Sequence, residues 1–381
     1  MLKITKLVHF FLSTKFYFSI PEKKNIIIID EYGSDILNIF LKKKISFIDI
    51  RLSRINLFIC MIVLIQNLKI NQKIYVEKYI NFIDPKLILN SSDQLPFFLS
   101  LKIKKKIKKL YLQCGFIHER AINSIKANKN NNCNYMLLFG ESVKKQLKIV
   151  KGEKYIVGGY RNNFFKKRKK SNKKIISFIS EYRPGIDTKF LLNTGETIDY
   201  SRYYSSEAKL LPMLLKFCEE KKFKLEIICS SRNSELKKRE INFFNKILKS
   251  KNWKYKKQNE IKFYNKQYTS SHLNMIKASY IVFIGSTLGY ESLARLKRTV
   301  SFSIRGKMRS YNTHFGAWFG SPNNIKMKGP FWTNTLNKKE FKRLMYNLIN
   351  TNINPWSKYR NAYCKFFIDY DFKNKKIDSL I

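Results

Sequence analysis

Residues 280–291 read Tyr-Ile-Val-Phe-Ile-Gly-Ser-Thr-Leu-Gly-Tyr-Glu. Gly285, Ser286 and Thr287 combine a run of backbone N–H groups with two hydroxyls, and Glu291 adds a carboxylate about one helical turn later. A small-residue turn that opens a helix aims unpaired N–H groups and the positive end of the helix dipole at one point, which suits a phosphate. With Thr287 as the cap, Glu291 stands at the fourth helical position and leans back over the same mouth, where a carboxylate suits sugar hydroxyls better than phosphate. The bland alternative is that these residues only turn the chain and Glu291 only favours the dipole, since such turns recur across α/β folds. Chemistry at a phosphorylated carrier also needs a base and cations that take the departing charge. His118 and Glu31 follow strand-like runs and are the best-placed bases, and Arg183 and Arg305 are the corresponding cations.

These residues need a scaffold, and the hydrophobic pattern supplies one. Tyr280 to Ile284 reads as a strand buried on both faces, Leu288 onward as a helix with Leu293, Ala294 and Leu296 inward, and Thr299 to Ile304 as a further strand. Asn25 to Asp30 is a strand ending in Asp30 and Glu31; Ile36 to Leu41 follows as a helix and Ile45 to Ile50 as a strand. Leu57 to Leu68 reads as a buried helix, Lys86 to Leu89 and Lys109 to Gln113 as strands, the second closed by Cys114 and Gly115, and Asn134 to Phe139 as another, ended by Gly140. The apolar-free run Lys166 to Lys174 predicts a solvated linker. Alternation then resumes: strand Ile175 to Ile179, helix Ser206 to Lys221, strand Lys224 to Cys229, helix Glu235 to Leu248 and helix Tyr268 to Lys277. Two late helices, Asn337 to Ile349 and Pro355 to Phe367, complete the chain.

The expected class is α/β: two Rossmann-like parallel-sheet domains, 1–165 and 166–381, facing across a cleft. One wall of that cleft receives Glu181 to Arg183, Ser230 to Arg232, Gly285 to Thr287, Arg305 and Lys307. The other receives Asp30, Glu31, Gln113 to His118, with Gly115 among them, and Glu141.

Composition narrows the reading. Lysine and arginine total 75 against 27 acids, a formal charge of +48, which draws the chain to anionic partners even where the lysines reflect codon usage. The six cysteines form no C-x-x-C pair and no zinc spacing, so free thiols are expected. No signal-peptide pattern is evident, and the strongest apolar run, Leu57 to Ile65, is too short to span a bilayer. A cytoplasmic protein, peripheral on the inner face of the cell membrane, is the expectation. The one Asp-x-Asp, Asp369 to Asp371, lies in the polar tail and reads as a surface feature, so no metal is expected.

Several stretches resemble the GT-B glycosyltransferases of bacterial surface-carbohydrate biosynthesis, which make lipopolysaccharide or capsule. They are IIIIDEYGSDIL from Ile26, KKLYLQCGF from Lys108, YMLLFGESVKKQL from Tyr135, IVFIGSTLGYESLARLKRTVSF from Ile281 and GPFWTNTLNKKEF from Gly329. The resemblance runs through most of the chain in order and is most specific in the stretch that begins at Ile281. It implies a GT-B fold and transfer of a sugar from a nucleotide-sugar donor to a surface polysaccharide or lipid-linked glycan, inverting and metal-independent. Ser286 and Thr287 would then hold the diphosphate, Glu291 the ribose, and Asp30, Gln113 and Gly115 would lie on the acceptor side. Many relatives carry Asn where Cys114 stands. No cofactor is implied, because the nucleotide sugar is a substrate.

Two alternatives stay open within the fold: a sugar-nucleotide 2-epimerase and a polyol-phosphate transferase. A nucleic-acid-binding protein is disfavoured, because the aromatic residues lie in apolar strands and helices and are not interleaved with lysines on one face.

Overall fold

The structure is a computed structural model. It describes residue 12 and residues 14–380 except 31–44, 51–53, 67–68, 93, 118, 129, 166–172, 183–188, 192–196, 231–233, 257–268, 306–318, 320–326, 352–355 and 359. The expected helix Ile36 to Leu41 and residues 166–172 of the expected linker therefore lie outside the described residues, as do the candidates Glu31, His118 and Arg183 and the wall residues Ser231, Arg232 and Lys307.

Six parallel strands form the first sheet, in the order Ile45–Ile48, Ile26–Ile29, Leu87–Asn90, Lys108–Leu112, Asn132–Leu138, Lys151–Ile156. Ile26–Ile29 lies inside that order with all four side chains buried, as a β-branched run covered on both faces must be. A seven-stranded second sheet runs Trp253–Lys256, Lys224–Ile228, Ile175–Ile179, Tyr280–Phe283, Arg298–Phe302, Trp332–Thr333, Lys328–Gly329. Its strands are parallel except for the terminal hairpin of Lys328–Gly329 with Trp332–Thr333.

In each sheet the chain builds outward one way and then returns to the other side of its first strand. The order reverses between Ile26–Ile29 and Leu87–Asn90 in the first sheet, and between Ile175–Ile179 and Tyr280–Phe283 in the second. The crevice beyond the carboxyl ends of strands at such a reversal is where open α/β sheets bind ligands.

The two carboxyl edges meet. Phe116, just past the strand Lys108–Leu112, lies with its ring centroid 4.5 Å from Tyr290 of the helix Thr287–Ala294, which follows Tyr280–Phe283. Asn162 and Phe165 lie on the connecting segment, and Arg295 donates to their carbonyls at 3.0 and 2.7 Å while its guanidinium stacks over the Tyr370 ring. The chain end then recrosses to the first sheet. Asp369 N–H donates to Phe139 O at 2.8 Å, Gly158 bridges to Tyr370, and Ile377 is buried beside Leu112 and Val157. The Asp-x-Asp expected at the surface is part of this return: Asp369 is buried, and Asp371 accepts from Lys376 N–H at 2.8 Å.

Two elements depart from the sequence reading. The helix Leu57–Ile65 is not buried throughout; Ile59 and Val63 face the core while Leu57, Met61, Leu64 and Ile65 are exposed. A sequence apolar on every face reads as a core helix, and one apolar stripe here points outward instead. In the second late helix, residues 360–364 form a π-helical turn before Lys365–Phe367. Strands Lys151–Ile156 and Trp253–Lys256, rich in lysine and partly exposed, were not legible from hydrophobic pattern.

Candidate functional site

At the reversal point of the second sheet, the loop Gly285 to Leu288 is open to solvent or half-buried, while Gly289 to Ala294 are buried. Ser286, not Thr287, is the N-cap; its backbone is extended (φ −63°, ψ 135°) and its side chain makes no capping bond. Thr287 is the first helical residue, which moves Glu291 to the fifth helical position. The helix sits very close to its strand, because a Cβ at Gly289 would fall 2.2 Å from the Phe283 ring. Only glycine permits that approach.

Glu291 is buried and points toward the segment joining the two sheets. Its Oε2 is 2.9 Å from His272 Nε2, and its Oε1 would lie 2.6 Å from a Cβ at Gly159. Its backbone carbonyl accepts from Asn162 at 3.3 Å. His272, itself buried and stacked on Phe165, thus orients the carboxylate that the sequence singled out. The strand-to-helix pattern gave no sign of this pairing across 19 residues.

Opposite the loop stands Glu181, two residues past the strand Ile175–Ile179, and a second carboxylate fixes the segment that carries it. Glu240, fully buried on the helix Ser234–Leu248, accepts from Ser180 Oγ at 2.5 Å, Ser230 N–H at 3.1 Å and Tyr255 Oη at 2.9 Å. These bonds pin the carboxyl ends of three strands. Burial and the Glu240 carboxylate push the Tyr255 phenol far above its ordinary value, so it stays a donor. Tyr182 is held as well, its N–H donating to Ser180 Oγ and its carbonyl accepting from Ser230 Oγ. Glu181, fixed between these two residues, accepts at Oε2 from the Gly285 N–H at 3.1 Å and from Arg305 at 2.6 Å.

Arg305 also pairs with Glu207 of the helix Tyr200–Glu220, and all three groups are largely buried. Its charge, read from sequence as a cation for a leaving diphosphate, is already matched by two carboxylates. One guanidinium between two acids favours retention of a proton. Burial, reinforced by the nearby Glu181 charge against the pull of Arg305, lifts Glu207 from 4.5 to about 7. Glu181 therefore occupies the position that an incoming anion would take at the Gly285 N–H.

The first sheet presents a second constellation at its own reversal point. Asp30 is buried with a left-handed backbone (φ 65°), and its N–H donates to Ile48 O at 2.9 Å. Across the reversal, Asn90, Ser91 and Ser92 are fully buried; Asn90 Oδ1 accepts from Ser92 N–H at 3.0 Å and Ser92 Oγ at 2.9 Å. The sequence reading missed this Asn-Ser-Ser turn, although an apolar run broken by three small polar residues was its signal. Gln113 is buried and spends both ends of its amide locally, donating to Gly115 O at 2.9 Å and accepting from Phe139 N–H at 2.7 Å. It shapes the turn that carries Gly115, where a Cβ would meet nothing within 4 Å. Among the described residues no group of three or more His, Cys, Asp or Glu could hold a metal ion.

Residues 114–381, well over half of the chain, match a family model described as "putative O-antigen biosynthesis protein". The chain belongs to that family. No curated protein matches it. Among solved structures, it is similar to a UDP-GlcNAc 2-epimerase from Methanocaldococcus jannaschii in complex with UDP-GlcNAc and UDP, at 13% identity and a TM-score of 0.49, covering 93% of this chain and 98% of that one. It is also similar to the wall teichoic acid polymerase TagF, at 10% identity and a TM-score of 0.43, covering 94% of this chain and 88% of that one. A third likeness is to TarM of S. aureus, at 12% identity and a TM-score of 0.43, covering 81% of this chain and 58% of that one. All three scores are below 0.5, so the fold rests on the two parallel sheets themselves.

Proposed function

We propose that this O-antigen family member is a glycosyltransferase that moves a sugar from a nucleotide-sugar donor to a surface polysaccharide or lipid-linked glycan. One observation supports the reading: the reversal point bearing Gly285 to Glu291 adjoins the carboxyl edge of a second parallel sheet through the Phe116–Tyr290 contact, so a donor wall and an acceptor wall would share one crevice. The donor diphosphate would lie on the Gly285, Ser286 and Thr287 N–H groups at the helix start, with the ribose toward Glu291. Arg183 and Arg305 would take the departing charge, and Glu181 would yield its place on the Gly285 N–H. Either Glu31, directly after Asp30, or His118, directly after Ile117, would remove the acceptor proton. Asp30, Gln113 and Gly115 would shape the acceptor side. The helix start and arginines supply the positive charge, so the reaction as proposed requires no metal and no cofactor, and it takes place on the cytoplasmic side.

Calorimetry with nucleoside diphosphates and their sugars tests the donor assignment. Glu291→Gln weakens the nucleotide that wild type binds by about 1–3 kcal/mol, the range for a charge-assisted hydrogen bond. Unchanged affinity, with wild type binding, removes the assignment. Single-turnover transfer by Glu31→Gln and His118→Ala at saturating donor identifies the base, whose loss lowers the rate by about 10²–10⁴-fold.

A second reading, 2-epimerisation of a nucleotide sugar, is favoured by the two carboxylates Glu181 and Glu207 beside the loop, one of which holds a proton near neutrality. The two reactions separate by product. A transferase needs acceptor and releases nucleoside diphosphate, whereas an epimerase changes the nucleotide sugar alone.

A further inference from the structure

The helix Leu57–Ile65 is apolar at all nine positions, and its exposed members fall on one stripe: Leu57, Met61, Leu64 and Ile65 follow the spacing of a single helical face. Met61 is 43% exposed, Leu64 57% and Ile65 79%. The patch continues past the helix start. Phe58 packs edge-on against both Phe18, at 6.1 Å, and Phe82, at 5.4 Å; Phe18 and Ile20 are themselves 62% and 67% exposed. Scattered exposed apolar residues are ordinary, but a contiguous patch of this kind marks a surface that meets an apolar partner.

Its charge surroundings specify the partner. The segments 12–21 and 54–76 contain no Asp or Glu, and Lys15, Arg54, Lys69 and Lys73 flank the patch. The acids at its borders, Glu22 and Glu77, are each paired with a lysine, Lys24 and Lys73. A second copy of this chain, at +48, would bring the same cations against themselves. An anionic lipid surface offers hydrocarbon to the stripe and negative headgroups to its basic rim. We propose that the protein docks on anionic bilayers through this face of its first domain, with Met61, Leu64 and Ile65 entering the headgroup layer.

The test is flotation of the full chain with vesicles of phosphatidylcholine plus phosphatidylglycerol, beside vesicles of phosphatidylcholine alone. The variant is Met61→Ser, Leu64→Ser, Ile65→Ser, whose side chains already face water and can change without opening the core. Wild type binds the anionic vesicles in preference, and the triple variant loses about tenfold or more in partitioning, with the same melting temperature. A Lys69→Gln, Lys73→Gln protein loses binding in a salt-dependent way while keeping the stripe. Equal vesicle binding by wild type and the triple variant overturns the proposal. So does a wild-type dimer in sedimentation that the triple substitution converts to monomer, because a second copy would then cover the stripe.

Discussion

Glu207 is the group whose titration the fold most clearly controls. It is buried with Glu181 nearby and one guanidinium between the two, and its Oε2 has no hydrogen-bond partner among the described residues. Its folded value of about 7 lies above the ordinary 4.5, so the native state binds this proton more tightly than the unfolded chain does. The stabilisation is therefore full below pH 4.5 and is lost as pH rises through about 7. At about 1.4 kcal/mol for each pH unit, the loss between pH 5 and pH 8 is roughly 2–3 kcal/mol. Glu207→Gln has the shape of the protonated acid and cannot titrate. Urea unfolding at a series of pH values, followed by tryptophan fluorescence, gives the assay, since all four tryptophans lie beyond residue 250 in the same half as Glu207. With equal m-values, the fall in wild-type stability from pH 5 to pH 8 exceeds that of Glu207→Gln by roughly 2–3 kcal/mol. Parallel pH profiles for the two proteins would show that Arg305 fully compensates Glu207 and that the proton is not held.

Lys109 gives the opposite sign: burial lowers it from 10.5 to about 8, with Nζ donating to Leu99 O at 3.1 Å and Leu101 O at 2.7 Å. Wild-type stability should rise relative to Lys109→Met as pH climbs from about 8 to 10.5, measured by the same unfolding series. Gly289→Ala drives a methyl into the Phe283 ring, so it should destabilise by about 1–3 kcal/mol and weaken nucleotide binding by displacing the helix start; calorimetry and melting on one sample check both. Gly158→Ala combines a left-handed backbone (φ 72°) with a Cβ 2.2 Å from Asp369 O. It should release the returning tail, exposing Tyr370 to Ser379 to limited proteolysis at a cost above about 1 kcal/mol.

Much of the architecture was legible without coordinates, because parallel strands buried on both faces are written as unbroken apolar runs. Ile26–Ile29, Ile175–Ile179 and Tyr280–Phe283 are of this kind, and the small-residue break after Tyr280–Phe283 marked the loop at Gly285. Hydrophobic pattern did not reveal the edge strands Lys151–Ile156 and Trp253–Lys256, since an edge half in water tolerates charged residues, Lys151, Glu153 and Lys154 in one and Lys254 and Lys256 in the other. The sequence likewise determined the local chemistry of residues 285–291: small residues, two hydroxyls and a carboxylate ahead of an apolar helix face. It could not determine what that carboxylate meets. Glu291 with His272, Glu181 with the Gly285 N–H, and Arg305 between Glu181 and Glu207 are contacts across 19, 104, 124 and 98 residues. Periodicity reports which face of an element is apolar, and it is silent on which charged ends are brought together when sheets close. The same limit made Leu57–Ile65 read as a core helix. Its composition fixed its helicity and greasiness, but only packing decided that Ile59 and Val63 turn inward and Leu64 and Ile65 remain in water.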